Sequence, residues 1–83
     1  MKVVVTKKDK AVPVEITTEY IKLQDAMKLA SAAETGGEAK LMIQEGQILV
    51  NGEICLMRGK KLSPGDRFVC QGQAYQIVSH ESE

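Results

Sequence analysis

Apolar and polar positions along the chain change period twice. Val3-Val4-Val5-Thr6 is almost wholly β-branched and predicts a short strand, followed by a polar turn at Lys7-Lys8-Asp9-Lys10. Val12 to Thr17 predicts a second strand, with Pro13 marking an edge or a strand start, because proline cannot donate to a ladder. From Leu23 the spacing lengthens: Leu23, Ala26, Met27, Ala30 and Ala33 fall on one face of a helix, with Lys22, Asp25 and Lys28 off that stripe. Thr35-Gly36-Gly37-Glu38 has the form of a capping box, the Thr35 hydroxyl taking the Glu38 amide and the Glu38 carboxylate reaching back. Ala39, Met42 and Ile43 make a second helical face, and Gly46 supplies the left-handed residue that ends it.

Beyond Gly46 the chain returns to strand spacing. Ile48-Leu49-Val50 leads into Asn51-Gly52, a strong hairpin signal because both positions tolerate positive φ, and Glu53 to Met57 forms the returning arm. Ser63-Pro64-Gly65-Asp66 is a turn, and Phe68-Val69-Cys70 and Ala74 to Val78 are two more strands around Gly72. The order of strands, two helices, then a hairpin-rich half predicts an α+β fold. The predicted core includes Leu23, Met27, Ala30, Ala39, Ile43, Ile48, Val50, Leu62 and Phe68.

Length keeps this to one domain. A chain of 83 residues buries only about 60–65% of the surface its unfolded form exposes, so the core is thin. With 43% hydrophobic and 27% charged residues, the composition is that of an ordinary globular protein. The longest apolar run, Ile54 to Met57, is far below the ~20 residues a membrane span needs, and Val3-Val4-Val5 is too short for a signal peptide. A cytoplasmic protein is the expectation, with no membrane partner and with Cys55 and Cys70 reduced and packed as small apolar residues.

Net charge is zero, yet it is unevenly spread: residues 1–10 and residues 58–67 each carry +3, against −4 over 11–57 and −2 over 68–83. Local field decides where a polyanion docks, so Arg58, Lys60 and Lys61 stand out. Catalytic readings fail. Gly59-Lys60 lacks the glycine and hydroxyl of a phosphate loop, since Ile54 and Leu62 stand near those places. Two cysteines and His80 do not make up a metal site, and a Cys-His nucleophile pair has no third group to orient it. No enzyme, metal or cofactor is expected; the residues read as a binding module.

Lys22-Leu23-Gln24, Thr35 with Glu38-Ala39-Lys40, Met42-Ile43, Gly46, Val50-Asn51-Gly52 and Pro64-Gly65-Asp66 together resemble the S-four RNA-binding domain, over roughly residues 20–69. The run Gly36-Gly37-Glu38-Ala39-Lys40 with Arg58-Gly59-Lys60-Lys61-Leu62 is most similar to its small stand-alone bacterial subgroup, the YaaA/YbcJ type. The resemblance implies a two-helix αL motif packed on a small mixed or antiparallel sheet. Residues 1–17 would extend that sheet as an N-terminal hairpin, and 70–83 would be a closing strand and polar tail. It further implies a non-catalytic protein that binds structured RNA, most readily ribosomal RNA, with a role in ribosome assembly or maintenance and a monomeric state. The residues it assigns to RNA are Lys22, Lys28, Lys40, Asn51, Arg58, Lys60 and Lys61, the asparagine being at least as much a turn residue. Many family members carry an arginine where Gly36 stands; Gly36 and Gly37 at a helix start offer backbone amides to a phosphate instead. Tyr20, Phe68 and Tyr75 are the only aromatic residues, so shape and phosphate recognition is favoured over base stacking.

Two rivals come from other classes. One is a protein-interaction module. The other is a β-grasp sulfur carrier, similar through Val-Asn-Gly-Glu and the Gly-Asp turn; this chain ends Ser79-His80-Glu81-Ser82-Glu83 and lacks the Gly-Gly that carries sulfur.

Overall fold

A computed structural model describes residues 11–80. In chain order the elements are β1 (Val12–Ile16), β2 (Ile21–Lys22), α1 (Leu23–Leu29), α2 (Gly36–Gln44), β3 (Ile48–Val50), β4 (Glu53–Ile54), β5 (Lys61–Leu62), β6 (Arg67–Cys70) and β7 (Gln73–Ser79). This is the expected α+β arrangement. Five strands form a mixed sheet in the order β1-β7-β6-β3-β4, and β2 and β5 form a second, two-stranded sheet. β1 runs parallel to β7 at one edge, where Pro13 needs no inner donor; the other pairings are antiparallel. The extension of the sheet by the N-terminal segment therefore holds for β1. The first arm of the expected hairpin, Val3 to Thr6, and its turn lie outside the described residues.

Alternation along the strands sets which side is covered. Val14, Ile16, Ile48, Val50, Phe68, Cys70 and Ile77 are buried, as are Leu23, Ala26 and Met27 of α1 and Ala39, Met42 and Ile43 of α2. Together they form one core with Ala33 and Leu62. Phe68, at the centre, stacks on its cross-strand partner Tyr75 at 4.8 Å between ring centroids. Each fully buried side chain of this size contributes about 1.5–3 kcal/mol over leaving it in water, a large share of what so small a core can supply. Ala30 is only partly buried against this core. Burial pushes the Cys70 thiol up from its ordinary value, with the Glu38 carboxylate adding to the effect, so it stays protonated.

The turns follow the sequence closely. Asn51-Gly52 joins β3 to β4 with φ of 51° and 90°, and Gln71-Gly72 joins β6 to β7 with 54° and 81°, both two-residue turns of the hairpin kind. Gly65 at φ 103° turns the chain before Asp66, whose carboxylate accepts from the Ser63 amide at 2.8 Å.

Three local readings are corrected. The first helix stops at Leu29, before Ala33: Ser31 adopts φ 63°, its amide bonds to the Lys28 carbonyl, and Ala32 reaches back to Met27. That is a Schellman ending with serine in the place of glycine. Ala33 is buried from a loop, where its apparent helical spacing is coincidental. At the second helix Thr35 Oγ1 accepts from Glu38 N at 3.0 Å as expected, but the Glu38 carboxylate takes the Glu34 amide, one residue earlier than a capping box requires. Finally, the returning arm forms a strand only over Glu53 and Ile54, with one further bond from the Cys55 amide to the Ile48 carbonyl, after which Leu56 and Met57 leave the sheet and are exposed.

Candidate nucleic-acid interface

α1 begins without a side-chain cap, because its N-cap residue is Lys22. The free amides of its first turn are satisfied from a distance: Leu23 donates to the Lys60 carbonyl at 2.8 Å and Gln24 to the Arg58 carbonyl at 3.1 Å. The segment that supplies these carbonyls is a turn, closed by the Lys60 amide on the Met57 carbonyl at 3.1 Å. The Cys55 thiol also faces the Met57 carbonyl, at 3.6 Å. With its backbone turned toward the helix start, the loop leaves Arg58, Lys60 and Lys61 exposed.

The short β2–β5 pairing completes this surface. Ile21 lies opposite Leu62, and Lys22 lies opposite Lys61, so two lysines face the same side across one ladder step. Like charges at directly opposed positions are destabilising, and a lysine at a helix N-terminus also opposes the helix dipole. Among the described residues neither lysine has a carboxylate within ion-pair distance. Lys61 instead places its Nζ 4.8 Å from the centre of the Tyr20 ring. Tyr20, to which the sequence reading gives no role, thus belongs to the basic surface. The available signal was its position two residues before Lys22, and only the β2–β5 pairing gives that spacing a meaning.

The remaining candidates divide. Lys28 is exposed on α1, pairs with Asp25 at 3.7 Å, and brings its Nζ close to Gly36 at the start of α2. Lys40 is exposed one helical turn beyond Gly36. Lys28 and Gly36 therefore meet at the helix–helix turn, with Lys40 farther along α2. A side chain added at Gly36 or Gly37 would meet only ordinary contacts, and neither glycine adopts positive φ. Asn51 has internal employment: its carbonyl accepts the Arg67 amide at 3.0 Å and its amide reaches Asp66 Oδ1 at 3.3 Å, tying the hairpin to the Pro-Gly-Asp turn.

Among the described residues no cluster of three or more His, Cys, Asp or Glu side chains could hold a metal ion. Nor, among the described residues, is any helix long and apolar enough to cross a membrane.

Comparison with known proteins bears on the same span. A family model, the S4 domain, matches residues 14–78. The chain is similar to the "Probable ribosome maturation protein RlbA" of Bacillus subtilis, with 40% identity over 68 residues, 81% of this chain and 96% of that protein. It is also similar to the "Putative RNA-binding protein YbcJ" of Escherichia coli K12, with 32% identity over 60 residues, 72% of this chain and 86% of that one. The helix pair, the Val-Asn-Gly hairpin and the basic loop all fall inside the matched residues, and the chain belongs to the S4-domain family.

Proposed function

We propose that this chain is a non-catalytic protein that binds structured RNA through phosphate contacts, with ribosomal RNA as its target and ribosome maturation as its setting. The observation that carries the reading is the opposed pair Lys22 and Lys61 at the start of α1. The opposed charges themselves add nothing to fold stability; an anionic backbone laid across them removes the repulsion. Arg58 and Lys60 widen the same patch, with Lys28 at the helix–helix turn and Lys40 on α2 as its second part. The names of the two relatives, one for ribosome maturation and one for RNA binding, support the choice of partner. Cytoplasmic location accords with such a target.

Titration of folded ribosomal RNA fragments at several salt concentrations tests the reading. With three to five phosphates neutralised, the log–log slope should lie at about −2 to −4. Changing Arg58, Lys60 and Lys61 together to Gln should leave the fold within ~0.5 kcal/mol of its original stability. The same change should flatten the slope by about one unit per lost contact, equally for all sequences. Changing Lys7, Lys8 and Lys10 should cost less. Equal losses from the two triplets would reduce the binding to diffuse charge.

A second reading, a protein-docking module, draws on the exposed Ile54, Leu56 and Met57 beside the basic loop. It expects an affinity for a protein partner that salt does not weaken and that Leu56→Ser abolishes.

A further inference from the structure

Of the three aromatic rings in the chain, Phe68 and Tyr75 stack on each other within the core and its margin. Tyr20 stands apart, 42% exposed. Lys61 approaches its ring at 4.8 Å, a cation–π contact. Next to Tyr20 lies an open depression of about 560 Å³ lined by Thr18, Glu19, Tyr20, Ile21, Lys22 and Asp25. Tyr20 lines that depression and Lys61 does not. Its position is not left to chance. The Thr18 hydroxyl donates to the Tyr20 carbonyl at 2.8 Å, and the next residue, Ile21, is held in the β2–β5 ladder.

The chemistry of the depression differs from that of the patch around it. A site for phosphate alone would exclude carboxylates, yet Glu19 and Asp25 both line it. Asp25 is engaged by Lys28 at 3.7 Å. Glu19 has no ion-pair or hydrogen-bond partner among the described residues. An ionised carboxylate only accepts hydrogen bonds, so it suits a ligand edge made of donors. Guanine is the RNA base whose Watson–Crick edge presents two adjacent donors, N1–H and the N2 amino group. Unpaired bases in folded RNA are commonly laid on an aromatic ring and read along that edge.

We propose that the depression beside Tyr20 seats one unpaired guanine of the bound RNA. The base lies against the Tyr20 ring, Glu19 accepts from its N1–H and N2 amino group, and Lys22 holds an adjoining phosphate. The proposal rests on the RNA-binding reading above and adds to it a specific base where the rest of the surface is indifferent to sequence.

The test uses the full chain and hairpin RNAs sharing one stem, with a single-nucleotide bulge of G, A or U, or with none, followed by fluorescence anisotropy. The G-bulged hairpin should bind about tenfold tighter than the unbulged one, the scale of one base–aromatic stack. Tyr20→Leu should erase that preference, so that the G-bulged and unbulged hairpins bind alike, and Tyr20→Phe should keep it. Glu19→Gln should bring G down to the level of A while retaining bulge over no bulge. Equal affinity for all four RNAs with a normal salt slope would overturn the guanine seat and leave the RNA reading standing. So would A or U bound as tightly as G, or a preference untouched by Tyr20→Leu. No salt-dependent binding to any hairpin would remove both.

Discussion

α2 starts at Thr35, whose hydroxyl takes the Glu38 amide three residues on, whereas α1 starts at Lys22 and borrows its caps from the carbonyls of Arg58 and Lys60, far along the chain. The two ends also differ. α2 closes on Gly46 at φ 76°, and α1 closes on Ser31 at φ 63° with the same Schellman bonding. One helix is thus specified by its own neighbours in sequence, the other by tertiary contacts. The difference falls where the basic surface lies: the bonds that complete α1 are the bonds that hold the Arg58–Lys61 segment beside Lys22. A helix that capped itself would have left that loop held by the short β2–β5 ladder alone.

Breaking the tertiary start of α1 should have the largest effect. Leu23 is fully buried while its amide holds Lys60, so Leu23→Ala should cost about 2–5 kcal/mol in denaturant unfolding. Hydrogen exchange should also show faster exchange at Leu23 and Gln24. A variant destabilised by less than ~1 kcal/mol would mean that the core does not depend on this junction.

At the other helix the effects should be smaller and local. Gly46→Ala meets only an ordinary contact with Ile54 but forces a side chain into the left-handed region, at about 1–2 kcal/mol. Thermal unfolding should register this. Thr35→Ala should cost ~1 kcal/mol, the worth of a lost N-cap, while Thr35→Ser should restore most of it. If instead Thr35→Ala costs as much as Leu23→Ala, the contrast between a local and a tertiary start fails.

The smallest change sharpens the comparison of the two ends. Ser31→Gly removes the strain of a left-handed serine at the price of more freedom in the unfolded chain. The net result should be a gain of no more than ~1 kcal/mol, with opposite sign to Gly46→Ala. A clear loss from Ser31→Gly would show that its side chain stabilises the turn by more than its φ costs.

What could be read from residues alone follows this division. Thr35, Glu38 and Gly46 are local signals acting over a few residues, and α2 appears between them. Asn51-Gly52, Pro64-Gly65 and Gly72 mark turns through φ preferences that need no partner, and all three turns are present. The extent of α1 was not legible, because Ser31 is not a usual left-handed residue and Ala33 happens to continue the apolar stripe. Nor was the full length of the Glu53 to Met57 arm, since apolar character cannot distinguish a paired residue from an exposed one.

By itself, then, the sequence determined the α+β class, the second helix, the hairpin turns, most of the core and the list of basic residues, because each depends on local propensity or on one face being apolar. The tertiary structure decided which of those basic residues stand together. β2 and β5 are two residues each, too short to carry a pattern, and their pairing joins positions remote in the chain. Only when that pairing forms do Lys22 and Lys61 come face to face, Tyr20 come under Lys61, and the Arg58 and Lys60 carbonyls reach the start of α1. Local propensity acts through a few bonds along the backbone; charge and ring contacts act through space, and the distance between such groups exists only once the chain has folded.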